Sequence, residues 1–128
     1  MTLGLMRYVL PKPLLRMSLE PAYANATFLS DDLTTRYHEL MLAPGSRDAL
    51  IARMRQTTLV DPIPLLNRIQ AQTLLVWGEA DAMIPFANSA DYVKAIANAS
   101  LVSLPGVGHL PQEEAAEKSI ARVRDFLK

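Results

Sequence analysis

Apolar residues in the first half of the chain recur at helical spacing, while those after residue 70 gather in short runs. Over residues 1–68 no strand-like alternation occurs. Ser30 followed by Asp31 and Asp32 has the form of an N-cap with first-turn acids. Behind it Leu33, Tyr37, Leu40 and Met41 fall at i, i+4, i+7 and i+8, which predicts one face of a helix ended by Ala43-Pro44-Gly45. A second helix is predicted from Ser46, with Leu50, Met54 and Thr57 on one side and Arg47, Arg53 and Arg55 off it. Asp61-Pro62-Ile63-Pro64 bars further helix, because each proline lacks a donor and biases the preceding residue to extended geometry. A short helical turn is then expected over Leu65 to Ile69.

The second half reads differently. Gln72 to Trp77 is a short apolar run ended by Gly78, which predicts a strand buried on both faces. Phe86, Ala90, Val93 and Ile96 predict an amphipathic helix, and Ser100 to Leu104 a second strand ended by Pro105-Gly106. Pro111 to Leu127 reads as one helix, with proline and two glutamates in its first turns. Its stripe is Ile120, Val123 and Leu127, and Arg122, Arg124 and Lys128 lie near its C-terminus. Strand, helix, strand, helix implies a parallel pair joined by a right-handed crossover. The expected class is therefore α/β: a helical segment over residues 1–68, then a βαβα portion over residues 69–128.

Composition narrows the function. The 128 residues are 50% hydrophobic, enough for a real core. Lys+Arg and Asp+Glu each total 13, with 8 basic and 6 acidic residues before position 71 and 5 and 7 after it. No basic patch tracks phosphate, so no nucleic-acid partner is expected. The absence of cysteine removes disulfides, zinc fingers and thiol nucleophiles together. The two histidines, His38 and His109, lie 71 residues apart and offer no metal-ligand spacing. With no glycine-rich dinucleotide fingerprint either, no cofactor is expected. Met1 to Leu10 is faintly signal-like, but Arg7 interrupts it, Pro11 and Pro13 end it, and no small-residue cleavage site follows. No window approaches the ~18 uninterrupted apolar residues of a membrane span. The expectation is a soluble, cytoplasmic protein.

In an open α/β sheet, functional groups collect beyond the carboxyl ends of the strands. One such end here is Trp77-Gly78-Glu79-Ala80-Asp81; the other is Leu104-Pro105-Gly106-Val107-Gly108-His109. Asp81 alone reads as a turn former and His109 alone as a loop histidine. At equivalent places on neighbouring strands they have the form of an acid orienting a general base. Glu79 competes for the acid role but lies nearer the strand end. His38 reads as a solvated helix face, Asp91 as helix surface and Asp61 as a turn before proline.

The segments Thr73 to Asp81 with Ile84-Pro85, and Leu104 to Glu113, resemble the last two strand-end motifs of the α/β-hydrolase superfamily. The order, acid then histidine, is that of the family. The resemblance implies Asp81 as triad acid, His109 as general base, and residues 1–68 as the back part of a helical cap. Ser30 to Ala43 and Asp61 to Ile69 are its most cap-like stretches. It implies a serine-type hydrolase acting on a small hydrophobic ester or related acyl substrate; an aspartate nucleophile is the family's other option.

The departure lies in the glycines. A nucleophile elbow of the form G-x-S-x-G needs two glycines four apart, and Gly4, Gly45, Gly78, Gly106 and Gly108 contain no such pair. None of the seven serines follows a buried strand and opens a helix. The strand that carries the oxyanion-hole loop is missing as well. The expectation is the C-terminal part of a hydrolase that self-associates or pairs with a missing N-terminal half. The alternative is a non-catalytic truncated fragment that folds by the same associations.

Overall fold

The structure, a computed structural model, describes residues 10–128. The signal-like reading of Met1 to Leu10 thus falls, apart from Leu10, outside the described residues. Two compact units emerge, one containing residues 10–20 and 29–60 and one of residues 21–28 and 61–128.

The first unit is helical. Helix α1 spans Lys12–Leu19, with prolines before and inside its first turn, where no backbone donor is lost. Helix α2 spans Asp31–Leu42, and the Ser30 hydroxyl caps it by accepting from Leu33 N at 3.1 Å. Helix α3 spans Ser46–Gln56 after Gly45, whose φ of 83° reverses the chain. Helix α1 meets α2 through Lys12 Nζ on Thr35 Oγ1 at 2.8 Å and an Arg16–Asp31 ion pair at 3.0 Å. Leu15 and Leu29 are buried, Leu29 completely. On α2 the predicted stripe is corrected: Leu40 is exposed and the buried position is Thr34, which hydrogen-bonds Ser30 O. Thr34 follows the stripe's first member by one residue, and its hydroxyl is satisfied inside its own helix.

The second unit holds the sheet. Helix α4 is Ile63–Leu66, starting two residues ahead of the expected turn. Pro64 is tolerated there because first-turn N–H groups are unpaired, and Asp61 Oδ1 accepts from Ile63 N at 3.0 Å. Strands β1 (Thr73–Gly78) and β2 (Ala99–Leu104) pair in parallel from Thr73↔Ala99 to Gly78↔Leu104. The α/β class expected from the pattern therefore holds. Between the strands a 3₁₀ turn over Phe86–Asn88 leads into α5, Ser89–Ala95. The buried residues here are Ser89, Ala95 and Ile96, while Val93 is exposed.

Two expectations are corrected in this unit. Strand β1 is half-buried over Thr73 to Trp77 rather than enclosed on both faces. Among the described residues the sheet has two strands, so neither face nor the outer edge of β1 is fully covered. The final segment is two helices, α6 (Pro111–Glu114) and α7 (Ala116–Phe126), broken at Ala115, whose φ of −137° and ψ of 49° leave the helical region. The predicted stripe remains open: Ile120 on α7 is 47% exposed and Leu127, just past its end, 75%.

Candidate active site

The loops after β1 and β2 meet because two glycines let three backbone segments touch. A Cβ at Gly78 would fall on the carbonyl oxygens of Val107 and Gly108. One at Gly108 would stand 2.6 Å from Ala24 N and 2.8 Å from Ala22 O. Backbone hydrogen bonds lock the approach: Ala80 N to Val107 O at 3.0 Å, and His109 N to Ala22 O at 2.8 Å. Gly106, with φ of 69°, turns the chain out of β2.

This packing brings Asp81 and His109 together. Asp81 Oδ2 lies 2.8 Å from His109 Nδ1. The other carboxylate oxygen, Oδ1, accepts from Met83 N and Ile84 N, each at 2.9 Å. The Asp81 side chain is only 5% exposed and the His109 ring 32%. Burial disfavours the charged carboxyl, yet the Ile84 N–H, the His109 ring, the Met83 N–H and the His109 charge outweigh it. Together they hold Asp81 below the ordinary carboxylate range. An ionised carboxylate only accepts, so Nδ1 carries a proton toward it and Nε2 is the basic nitrogen. Glu79, the competing acid, is exposed, and no described hydrogen bond joins it or any serine hydroxyl to His109.

A pocket of about 220 Å³ opens on the pair, lined by Val76, Trp77, Ile84 and Pro111 as well as the two polar residues. Trp77 is held by Nε1 donating to Ile84 O at 3.2 Å and by edge contact with Tyr92. A larger cavity of about 590 Å³, between Val76 and the apolar side of α7, contains neither the imidazole nor the carboxylate. Only the smaller of these two cavities is lined by both side chains of the pair.

His38, read from the sequence as solvated, is half-buried, with Nε2 donating to Leu10 O at 2.8 Å. Two residues around the pair were not singled out by sequence. Glu114 accepts hydrogen bonds from Gly108 N, Ala24 N and Asn25 N, and the Tyr23 hydroxyl meets Glu113 Oε2 at 2.6 Å. Acids are common in first turns of helices, so neither glutamate stood out by type or place. Among the described residues no helix is long and apolar enough to cross a membrane.

Comparison with known proteins places this geometry in context. The chain matches the alpha/beta hydrolase family over residues 3–123. A curated relative, the 2-hydroxy-6-oxononadienedioate/2-hydroxy-6-oxononatrienedioate hydrolase of Paraburkholderia xenovorans (strain LB400), is 34% identical over 108 residues, 80% of this chain. Those residues are 37% of the relative, so the chain spans little more than a third of its length. A mutant of the meta-cleavage product hydrolase CumD from Pseudomonas fluorescens IP01 superposes with a TM-score of 0.79 at 20% identity. That match covers 95% of this chain and 47% of CumD. The serine hydrolase CarC, involved in carbazole degradation, gives 0.80 at 20% identity, covering 94% of this chain and 48% of its own. At these identities the solved structures carry the fold alone.

Proposed function

The chain belongs to the alpha/beta hydrolase family, and from that premise we propose that it is the C-terminal portion of a serine-type hydrolase, with Asp81 as triad acid and His109 as general base. The observation that carries this reading is the 2.8 Å contact from a nearly buried carboxylate to Nδ1, on loops that follow adjacent parallel strands. Asp81 holds the imidazole in one tautomer and stabilises its protonated form. His109 Nε2 then takes the proton from a serine hydroxyl as the serine oxygen bonds to the substrate's carbonyl carbon. The imidazolium returns that proton to the leaving group as its bond to the carbonyl breaks. Water, deprotonated by the same nitrogen, then bonds to the acyl carbon; the serine–acyl bond breaks and the imidazolium returns the proton to the serine oxygen.

The serine and the oxyanion donors come from outside this chain. Residues 1–68 serve as a cap-like segment and residues 69–128 as the C-terminal part of the core. A small hydrophobic ester or related acyl compound suits the apolar lining of Val76, Trp77, Ile84 and Pro111. Fluorophosphonate labelling tests the assignment. The chain alone should remain unlabelled, and a longer polypeptide with the residues encoded before Met1 should label and turn over an aryl ester. His109→Ala should lower that turnover by roughly 10⁶-fold. Labelling of a serine within these 128 residues would overturn the external-nucleophile reading.

A second reading, a non-catalytic chain that folds by self-association, is favoured by the half-exposed β1 and the open stripe of α7.

A further inference from the structure

His109 stands on a loop, and a loop holds an imidazole only as well as its backbone is anchored. The His109 N–H donates to Ala22 O at 2.8 Å, but that carbonyl closes a single 3₁₀ turn, Glu20–Ala22, which runs straight into an irregular stretch, residues 23–25. One side chain ties the two stretches together. Glu114 Oε2 accepts from Gly108 N at 2.7 Å and from Ala24 N at 3.2 Å, and its Oε1 accepts from Asn25 N at 2.9 Å. Gly108 immediately precedes His109, and Ala24 and Asn25 follow Ala22 by two and three residues. The carboxylate thus bridges both partners of the hydrogen bond that anchors His109. It does so where their backbones pass too closely for a Cβ at Gly108. Hydrogen bonds to a charged acceptor are roughly twice as strong as neutral ones, and here three converge on one group.

Resting on the reading of Asp81 and His109 as acid and base, we infer that Glu114 is a positioning residue for His109. It touches backbone N–H groups and neither ring nor carboxylate of the pair. Its effect is to hold the loop so that Nδ1 stays on Asp81 and Nε2 faces the pocket. A carboxylate does this better than an amide, which presents one acceptor oxygen and would set its own N–H groups against a backbone donor.

Nitrogen-15 NMR of the full chain tests it. In the unsubstituted protein His109 should show the Nδ1–H tautomer. In Glu114→Gln the Gly108 amide should exchange roughly tenfold faster, as one charge-assisted hydrogen bond is lost, and His109 should give tautomer-averaged shifts. Tyr23→Phe, which removes the hydroxyl on Glu113 and leaves the three N–H contacts, should keep the His109 signature. A folded Glu114→Gln with His109 unchanged overturns the inference, as does an equal disturbance by Tyr23→Phe. Should Glu114→Gln not fold, couplings across the hydrogen bonds from the Gly108 and Asn25 nitrogens to the Glu114 carboxyl carbon are read in the unsubstituted protein. Their presence supports the inference and their absence overturns it. Loss of the Nδ1–H tautomer in the unsubstituted protein is a different failure, that of the Asp81–His109 pair itself.

Discussion

Asp81 combines nearly complete burial with a lowered carboxyl pKa, a combination that needs specific donors. Desolvation works against the charge, and two backbone N–H groups and an imidazole overcome it. Because the folded protein binds the proton more weakly than the unfolded chain, Asp81 contributes stability above the unfolded value of about 3.9. That contribution is lost as pH falls through the lower, folded value. Urea denaturation between pH 6 and the acid limit should therefore show stability falling below about pH 4. Asp81→Asn should flatten that part of the slope; an unchanged slope would deny Asp81 the role. The sequence placed Asp81 and His109 at neighbouring strand ends from order and spacing alone. It could not find Glu114, because a glutamate in a helix's first turn looks the same whether it faces solvent or three amides.

Local signals read well at the scale of elements where they act through neighbouring backbone. Ser30 caps α2 as its type and place predict. Replacing it with Ala should cost about 1 kcal/mol, whereas Ser46→Ala should cost little, since α3 is entered from Gly45 without a side-chain cap bond. Denaturant midpoints of the two variants at equal slope would check this, and equal losses would contradict it. Both strands lie within one residue of their predicted spans. What periodicity misjudged was the end of the chain. A continuous stripe predicts one helix, but the backbone leaves helical geometry at Ala115, directly after the glutamate that reaches back to the loops. The same tertiary demand sits behind Gly78. Gly78→Ala would drive a Cβ into two carbonyl oxygens, and a loss of roughly 1–3 kcal/mol is expected, the range for overpacking. Urea midpoints would measure it, and a neutral result would contradict the close approach.

At the scale of the molecule, the second unit carries a two-stranded sheet, and Ile120 and Phe126 on α7, with Leu127 just past its end, are exposed. Unpaired strand edges and apolar helix faces favour association. Sedimentation at micromolar concentration should show species above monomer mass, and Ile120→Lys should shift them toward monomer; a stable monomer throughout would end the self-association reading. The chain's share of its relatives, 37% of the curated hydrolase and under half of the solved ones, accords with a portion of a larger core. By itself the sequence determined the α/β class, the parallel pairing, the Ser30 cap and the two strand ends that carry Asp81 and His109. These follow from period, turn chemistry and residue order, all of them local. Only the tertiary structure decided that Nδ1 rather than Nε2 meets Asp81, that Glu114 clamps the loop, that His38 is half-buried, and that β1 stays half-open. Each depends on which backbone passes within hydrogen-bond reach of which side chain, and that distance is set by packing between segments far apart in the chain.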